Sequence, residues 1–262
     1  MKIIRVIVHG ALGKMGREIL RALEHEEGLK AVGAVDINAQ ISSLALPSGN
    51  GVIPCYKDLS AAITALSPDV IVDFSIASAV LPASRTAISN GVYFVSGTTG
   101  LSDEQIAEID ALAREKEVGV LIASNFALGA VLMMHFAAIA AKYLDYAEII
   151  ESHHEKKIDA PSGTSISTAK AMITARGKPF NDPYDKNQPS RGQLVEGTVI
   201  HSTRLPGVIA RQEVIFGGEG QTLSIKHDSI NRQSFMPGVM LAVKLVGNYK
   251  RAVLGLEKLL EL

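Results

Sequence analysis

The chain has 262 residues, of which 47% are hydrophobic and 20% are charged, and its formal net charge is -1 at pH 7. This composition excludes a disordered chain and provides enough apolar surface for a sizeable core. The near-neutral charge excludes the strong positive field of a nucleic-acid-binding protein, and the length favours about two domains.

No segment has the pattern of a membrane span or a signal peptide. The longest apolar stretch, residues 126–143, contains His135 and is shorter than the roughly 20 residues that a spanning helix needs. Arg5 interrupts the apolar run at the N-terminus, and no small-residue cleavage site follows it. The lone cysteine, Cys55, leaves no disulfide framework and fits a reducing compartment. We therefore expect a cytoplasmic protein with no membrane partner.

The first part of the chain alternates apolar strands with helices. Apolar residues three and four positions apart mark the helices, and near-continuous apolar runs mark the strands. In chain order the predicted elements are strand 2–8, helix 14–26, strand 30–36, helix 58–66, strand 69–74, helix 77–90, strand 92–95, helix 103–116 and strand 118–122. This order predicts an α/β fold with a Rossmann-like, doubly wound parallel sheet.

After a helix predicted at 127–144 the pattern changes to that of a second α+β domain with a mixed sheet. Its predicted elements are strand 146–154, helix 164–175, an irregular polar stretch at 177–193, and strands 196–203, 207–215 and 221–227. The tail from residue 235 returns to helical periodicity and could pack on either domain. We expect a first domain at 1–124, a second at 125–234, and a return of 235–262 to the first.

A glycine loop joins the first strand to the first helix. It contains Gly10, Gly13 and Gly16, a G-x-x-G-x-x-G pattern inside a strand–helix–strand unit. Gly10 would allow the tight turn, Gly13 the approach of a pyrophosphate, and Gly16 close packing of helix on strand. Asp36 ends the second strand, where its carboxylate can accept hydrogen bonds from ribose hydroxyls. Together these features favour dinucleotide binding over a glycine-rich turn that binds nothing.

The residues after Asp36 bear on the choice of cofactor. Residues 37–46 contain no Arg or Lys that could neutralise a 2′-phosphate. We therefore expect NADH to be favoured over NADPH. Lys14 in the glycine loop keeps NADPH open as the alternative.

Two later loops also follow predicted strands, at Asp73–Ser75 and at Ser96–Gly100. Ligands bind at the carboxyl ends of strands in parallel sheets, and Gly97, Thr98 and Thr99 offer backbone N–H groups and hydroxyls there. Ordinary strand-to-helix turns with capping hydroxyls explain each loop about equally well when it is taken alone.

Residues 151–165, ESHHEKKIDAPSGTS, concentrate ionisable side chains before a proline–glycine turn. His153 and His154 are adjacent and would point to opposite faces of a strand, so we do not expect them to share a metal. His153 and Lys157 would form a cationic site. The N–H groups of Gly163 and Thr164, at the start of the next helix, would bind an anion. A carboxylate or phosphate pocket beside a proton donor, and a solvated loop with a helix cap, fit these residues equally well.

The longest of these motifs, H-H-E-K-K-I-D-A-P-S-G-T, resembles the signature of the dihydrodipicolinate reductase family. The resemblance extends to V-x-G-x-x-G-K-M-G at 8–16, V-D-F-S at 72–75, G-T-T-G at 97–100, S-N-F at 124–126, I-H-S-T-R-L-P-G at 200–207 and H-D-S-x-x-R-x-S-F-M-P-G at 227–238. It implies NADH- or NADPH-dependent reduction of a cyclic imine, 4-hydroxy-tetrahydrodipicolinate, in the diaminopimelate and lysine pathway. It also implies a second domain that builds a homotetramer.

The resemblance assigns roles to matching positions. His153 would be the acid, or a group that orients the substrate, near the imine nitrogen, and Lys157 would be the second candidate proton donor. His154, Gly163 and Thr164 would bind the carboxylates of the substrate. The cofactor would be lined by Gly10, Gly13, Lys14, Met15, Gly16, Asp36, Gly97, Thr98 and Thr99, with Ala123, Asn125 and Phe126 towards the nicotinamide. Arg204 and Arg232 could add positive charge, and the sequence does not say whether they face the pocket.

Two other functions remain as alternatives. A sugar or amino-acid dehydrogenase of related architecture would share the glycine loop but not the H-H-x-x-K-x-D-A-P-S-G-T motif. A dinucleotide sensor without catalysis would lose its proton donors, whereas His153 and Lys157 are both present.

Overall fold

The computed structural model describes residues 2–181 and 188–260. The chain forms two units, one built from residues up to Phe126 together with those from Phe235 onward, and one built from Ala127–Ser234. None of the helices in these described parts is long and apolar enough to cross a membrane.

The first unit contains an eight-stranded sheet. Its strands are β1 (Ile4–His9), β2 (Leu29–Val35), β3 (Ser43–Ala45), β4 (Val52–Tyr56), β5 (Val70–Asp73), β6 (Tyr93–Ser96), β7 (Val120–Ile122) and, from the C-terminal segment, β13 (Ala252–Leu254). Its helices are α1 (Lys14–Leu23), α2 (Leu59–Leu66), α3 (Ala77–Ser89), α4 (Asp103–Glu115) and α7 (Met236–Leu245).

The strand order in this sheet is β13-β7-β6-β5-β1-β2-β4-β3, and the pairings are parallel except that of β3 with β4. The central strands are apolar on both faces because helices cover both sides: Val6, Ile7 and Val8 in β1 are fully buried. Since the chain winds outward from β1 in both directions, the carboxyl ends of β1 and β5 meet at the switch point where such sheets bind ligands. The predicted Rossmann-like sheet is confirmed.

The C-terminal tail corrects one prediction. The sequence predicts helical periodicity throughout the tail, but in its described residues, 235–260, the helical elements are α7 and short 3-10 turns, and Ala252–Leu254 forms edge strand β13 beside β7. A run of three apolar residues is too short for its periodicity to distinguish a helix from a strand. The edge of β7 offers residues 252–254 backbone hydrogen-bond partners, and they therefore form a strand. The hairpin of β3 and β4, at residues where no element was predicted, adds the other edge of the sheet.

The second unit is built on a five-stranded mixed sheet. Its strands are β8 (Tyr146–His153), β9 (Gln193–Val195), β10 (Thr198–Arg204), β11 (Ala210–Gly218) and β12 (Gln221–Ser229), and its helices are α5 (Leu128–Ala140) and α6 (Gly163–Arg176). The order is β12-β11-β8-β10-β9, and the pairing of β8 with β10 is parallel while the other three pairings are antiparallel. The predicted mixed sheet is confirmed. Of the stretch expected to be irregular at 177–193, residues 182–187 lie outside the described residues.

One face of the central strand β8 changes from apolar to polar along its length. Side chains two residues apart share a face of a strand, and this face reads Ala147, Ile149, Glu151, His153. The first two pack in the core beneath α5 and α6. Glu151 is also fully buried. The end of β8 therefore carries ionisable groups on the same face of the strand that packs into the apolar core at its start.

Candidate active site

The glycine loop of the first unit leaves no room for side chains. Gly10 has φ +77°, and a Cβ there would lie 2.6 Å from the carbonyl oxygen of Phe74. A Cβ at Gly16 would overlap the Gly10 carbonyl and the backbone of Ala11. The tight turn at Gly10 is as the sequence predicts, whereas the nearest neighbours of Gly16 are Gly10 and Ala11 in the turn and not a residue of β1. The loop therefore brings bare backbone to the start of α1, where the helix dipole favours an anion.

Asp36 joins the end of β2 to this loop. Its buried carboxylate accepts a hydrogen bond from the Leu12 N–H in the glycine loop and another from the Asn38 N–H, each at 3.0 Å. A carboxylate offers about four acceptor positions, so two N–H donors leave capacity for a diol. The contact with Leu12 also means that Asp36 helps to hold the loop in place.

A cleft lies at the carboxyl ends of the strands beside the glycine loop. Its lining residues are Met15, Phe74, Ser75, Ile76, Ala77, Gly97, Thr98 and Thr99. A Cβ at Gly97 would run into the ring of Phe74. Glycine is thus required on both sides of Phe74, at positions 10 and 97. Gly13 and Lys14 are exposed at the N-terminal end of α1. A planar ring or phosphate group can approach the backbone here, so these residues fit a dinucleotide.

The floor of this cleft is held by Asp73, a fully buried carboxylate at the end of β5. It accepts hydrogen bonds from the hydroxyls of Ser75, Ser96 and Thr98 at 2.5, 2.8 and 2.9 Å, and His9 Nδ1 lies 2.7 Å away. Burial by itself raises the pKa of Asp73, but the hydrogen bonds from His9 and Ser75 outweigh it and leave the pKa below its ordinary value. Asp73 therefore stays ionised and ties the ends of β1, β5 and β6 together.

This arrangement restricts which groups of the G-T-T-G loop face a ligand. The N–H groups of Gly97 and Thr98 donate to the Asp73 carbonyl and to the Ser96 hydroxyl, and the Thr98 hydroxyl donates to Asp73. The sequence analysis assigned these donors to a cofactor, but in the structure they form hydrogen bonds with Asp73 and Ser96. Thr98 and Thr99 still line the cleft.

Replacing Asp73 with asparagine is expected to destabilise the first unit and to raise the KM for the nicotinamide cofactor. An amide cannot accept all four donors, and a buried donor left unpaired costs about 1–3 kcal/mol. Asp69 lies just before the opposite end of the same strand, where it accepts from Lys2 and from the Arg5 N–H. Asp69→Asn is therefore the matched control: both variants should lose stability in urea unfolding, but only Asp73→Asn should change the KM. An unchanged KM in Asp73→Asn would show that this carboxylate does not shape the cleft.

The predicted nicotinamide-end residues follow β7 in the same unit. Ala123 and Phe126 are buried, Asn125 is partly buried, and the Ala123 N–H donates to the Ser96 carbonyl. The Phe126 ring packs against the ring of Phe74 with centroids 5.6 Å apart. Phe126 thus supports a residue that lines the cleft.

In the second unit, His153 forms a close pair with a carboxylate. Its Nδ1 lies 2.6 Å from Oε2 of Glu151, which precedes it by two residues on the same face of β8. Arg204, the register partner of His153 on β10, donates two hydrogen bonds to Glu151, at 2.9 and 3.0 Å. Burial by itself raises the pKa of Glu151, but the bonds from His153 and Arg204 outweigh it and lower the pKa to about 2.

Lys157 lies in the turn that follows β8, where its N–H donates to the His154 carbonyl. Its Nζ is 2.7 Å from both carboxylate oxygens of Asp159. Arg204 reaches this turn as well, since one of its N–H groups donates to the Asp159 carbonyl at 2.6 Å. Asp159 thus connects the two cations, because its side chain contacts Lys157 and its carbonyl accepts a hydrogen bond from Arg204.

A serine hydroxyl caps the start of α6. Ser162 is the N-cap, and its hydroxyl accepts from the Ser165 N–H at 3.2 Å. Gly163 and Thr164 are the first two residues of the helix, and Gly163 is exposed with open space around it. His154 is partly buried and lies one residue beyond the end of β8, which is one residue shorter than expected. An anion can approach this helix end directly.

Two residues of this group were missed or left open by the sequence. Glu151 had no assigned role, although an acid two residues before a histidine on a strand shares its face. Arg204 turns towards Glu151, so its charge is neutralised within the protein, and Arg232 is partly buried at the end of the unit. Among the described residues, no group of three or more His, Cys, Asp or Glu side chains is arranged to hold a metal ion.

Known proteins match the chain over nearly its full length. Models of the N- and C-terminal parts of dihydrodipicolinate reductase match residues 4–126 and 129–260. The 4-hydroxy-tetrahydrodipicolinate reductases of Dehalococcoides mccartyi and Moorella thermoacetica are 51% and 47% identical, over 99% and 98% of both chains. The dipicolinate-bound dihydrodipicolinate reductase from Paenisporosarcina sp. TG-14 is 40% identical, covers 98% of this chain and 99% of its own, and superposes with a TM-score of 0.85. The resemblance found in the sequence motifs is confirmed, and the chain belongs to the dihydrodipicolinate reductase family.

Proposed function

We propose that His153 and Lys157 provide the proton for the reaction of this family, and that His154, Gly163 and Thr164 hold the carboxylates of the substrate. The chain is an NAD(P)H-dependent oxidoreductase that reduces 4-hydroxy-tetrahydrodipicolinate to tetrahydrodipicolinate in diaminopimelate and lysine biosynthesis. The observation that carries the assignment of roles is that His153, which contacts Glu151, and Lys157, which contacts Asp159, lie at the end of β8 and in the turn that leads to the N-terminus of α6.

The substrate and product define what the residues must supply. The hydroxyl leaves as water, two electrons enter as a hydride, and one proton is taken up. A protonated imidazole or ammonium within hydrogen-bond reach can deliver that proton. The relative from Paenisporosarcina was solved with dipicolinate, a flat ring carrying two carboxylates. Lys157, His154 and the first N–H groups of α6 match such a ligand in charge.

We further propose that residues 1–124 bind the cofactor and 125–234 bind the substrate. Gly10 and Gly97 both pack closely on Phe74, which brings the glycine loop and the loop after β6 to one cleft. A cleft in this place, at the carboxyl ends of parallel strands, suits a dinucleotide. When bound, the reduced nicotinamide supplies the hydride. Asp36 accepts two N–H groups and has remaining acceptor capacity for ribose hydroxyls, and its charge would repel a 2′-phosphate. NADH is therefore the proposed preference.

The test follows oxidation of NADH and of NADPH at the nicotinamide absorbance, with the substrate made in situ by the preceding synthase. We expect turnover with both cofactors and a higher kcat/KM with NADH. Asp36→Asn keeps an acceptor oxygen but removes the charge, and should shift the ratio towards NADPH by about tenfold, equivalent to about 1.4 kcal/mol. A wild-type preference for NADPH would contradict the Asp36 argument. Cofactor binding without any turnover would contradict the proposed proton donors.

We also propose a homotetramer assembled through the sheet of the second unit. Two large apolar side chains on that sheet, Ile150 and Leu194, are 37% and 47% exposed. Exposed apolar side chains on a mixed sheet are consistent with a protein partner. Cytoplasmic localisation stays a prediction from the sequence.

A further inference from the structure

Glu151 is the one fully buried carboxylate of the described part of the second unit, and no step of the reaction assigns it a task. It lies where the inner face of β8 changes from apolar to polar, directly after Ile149 in that row. Burying a carboxylate is costly unless the charge is paired and hydrogen-bonded. Its partners therefore indicate why it is there.

The first partner is His153. The short contact of Glu151 Oε2 with His153 Nδ1, at 2.6 Å, joins two side chains that share a face of one strand. Because the lowered pKa of Glu151 keeps it ionised, the carboxylate acts only as an acceptor and the proton of the contact resides on Nδ1. In a neutral imidazole this determines the tautomer and leaves Nε2 as the exchanging nitrogen.

The second partner is Arg204, which immobilises Glu151. Its two N–H groups reach both carboxylate oxygens, at 2.9 and 3.0 Å, in the two-point geometry that arginine forms with carboxylates. The register of β8 with β10 places Arg204 beside His153 and Ser202 beside Glu151. The same arginine donates a hydrogen bond to the carbonyl of Asp159. The side chain of Asp159 in turn accepts a hydrogen bond from Lys157. A single guanidinium thus connects the supports of both candidate proton donors.

We propose that Glu151 is a positioning residue of the reaction: held by Arg204, it fixes the tautomer and the orientation of His153, so that Nε2 is the atom that faces the substrate. The inference deepens the proposed function, since it rests on the role given to His153. The competing explanation is that Glu151 only neutralises Arg204 within the fold. In that case its loss would reduce stability without changing the kcat of the folded enzyme.

The test compares kcat and KM for Glu151→Gln with those for Glu148→Gln. Glu148 is a matched control on the same strand but the opposite face, where it contacts His201 at 2.7 Å and Arg191 at 2.6 Å. We expect Glu151→Gln to lower kcat on the order of 10²-fold, as loss of an orienting carboxylate does elsewhere, with the KM for NADH unchanged. Glu148→Gln should stay within about twofold of wild type, as expected for a substitution away from the reacting groups.

A double variant separates orientation from folding. If Glu151 acts through His153, adding Glu151→Gln to His153→Ala should cause no further loss of kcat, because residues that act as a unit are not additive. Equal losses in both backgrounds, or an unchanged kcat in Glu151→Gln, would overturn the proposal. If His153→Ala alone leaves kcat unchanged, the proposed role of His153 fails first, whatever Glu151 does.

A second variant guards against misfolding of Glu151→Gln. Glu151→Asp keeps the charge that Arg204 requires but withdraws the carboxylate from His153 by one methylene. We expect it to fold and to lose kcat by about tenfold or more. A folded Glu151→Asp with wild-type kcat would overturn the proposal as well.

Discussion

Lys157→Ala is expected to lower kcat/KM for the substrate by about 10²- to 10⁴-fold, with the KM for NADH unchanged. The substitution removes an ammonium that the structure holds in the turn after β8, 2.7 Å from both oxygens of Asp159. If Lys157 delivers the proton, the loss appears in kcat. If it binds a substrate carboxylate, the loss appears in KM, because an interaction present before the transition state changes binding rather than turnover.

The control for this variant is the neighbouring lysine. Lys156 is exposed and lies outside the motif spacing of two histidines followed by a lysine three residues later, so Lys156→Ala should retain wild-type kinetics. Comparison with His153→Ala identifies the proton donor, because replacing the donor should lower mainly kcat. Turnover unchanged in both Lys157→Ala and His153→Ala, with only weaker binding, would exclude each as the acid.

Gly10→Ala is expected to raise the KM for NADH by about tenfold or more and to destabilise the first unit. Two effects add. A residue with a side chain at φ +77° costs about 1–2 kcal/mol, and the new Cβ would lie 2.6 Å from the Phe74 carbonyl, which costs roughly a further 1–3 kcal/mol of overpacking. Because Phe74 lines the cleft, relieving the clash must move the floor on which the cofactor is proposed to lie.

Gly28 provides the matched control for the backbone effect alone. It has φ +79° in the same unit, and a Cβ there would meet nothing within 4 Å. Gly28→Ala should therefore lower the free energy of unfolding, measured in urea, by about 1–2 kcal/mol. It should keep the wild-type KM for NADH. If Gly10→Ala and Gly28→Ala have the same KM, the glycine loop does not form part of the cofactor site, even if both are destabilised.

The sequence predicted the central strands and the helices of the first unit well because these elements are encoded locally, whereas it did not predict the edge strands β3, β4 and β13. Strands such as residues 69–74 are short apolar runs between helices with clear periodicity. The glycine loop after the first strand indicates the end of the sheet at which a ligand binds. The tail shows the limit of such reasoning. Residues 252–254 look equally suitable for a helix or a strand, and it was the unpaired edge of β7 that made them a strand.

The α/β fold class, the second unit's mixed sheet, the family and the residue types of the proton-donor motif could be predicted from the sequence, because each rests on patterns within short segments of the chain. Which of these groups contact one another depends on how the strands pair. Arg204 is 53 residues from Glu151, and it meets that carboxylate because β10 pairs in parallel with β8 in one particular register. A shift of one residue would turn every side chain of a strand to the other face. The contact of Arg204 with Glu151 is therefore a property of strand register, whereas the pairing of Glu151 with His153 follows from their spacing on one strand.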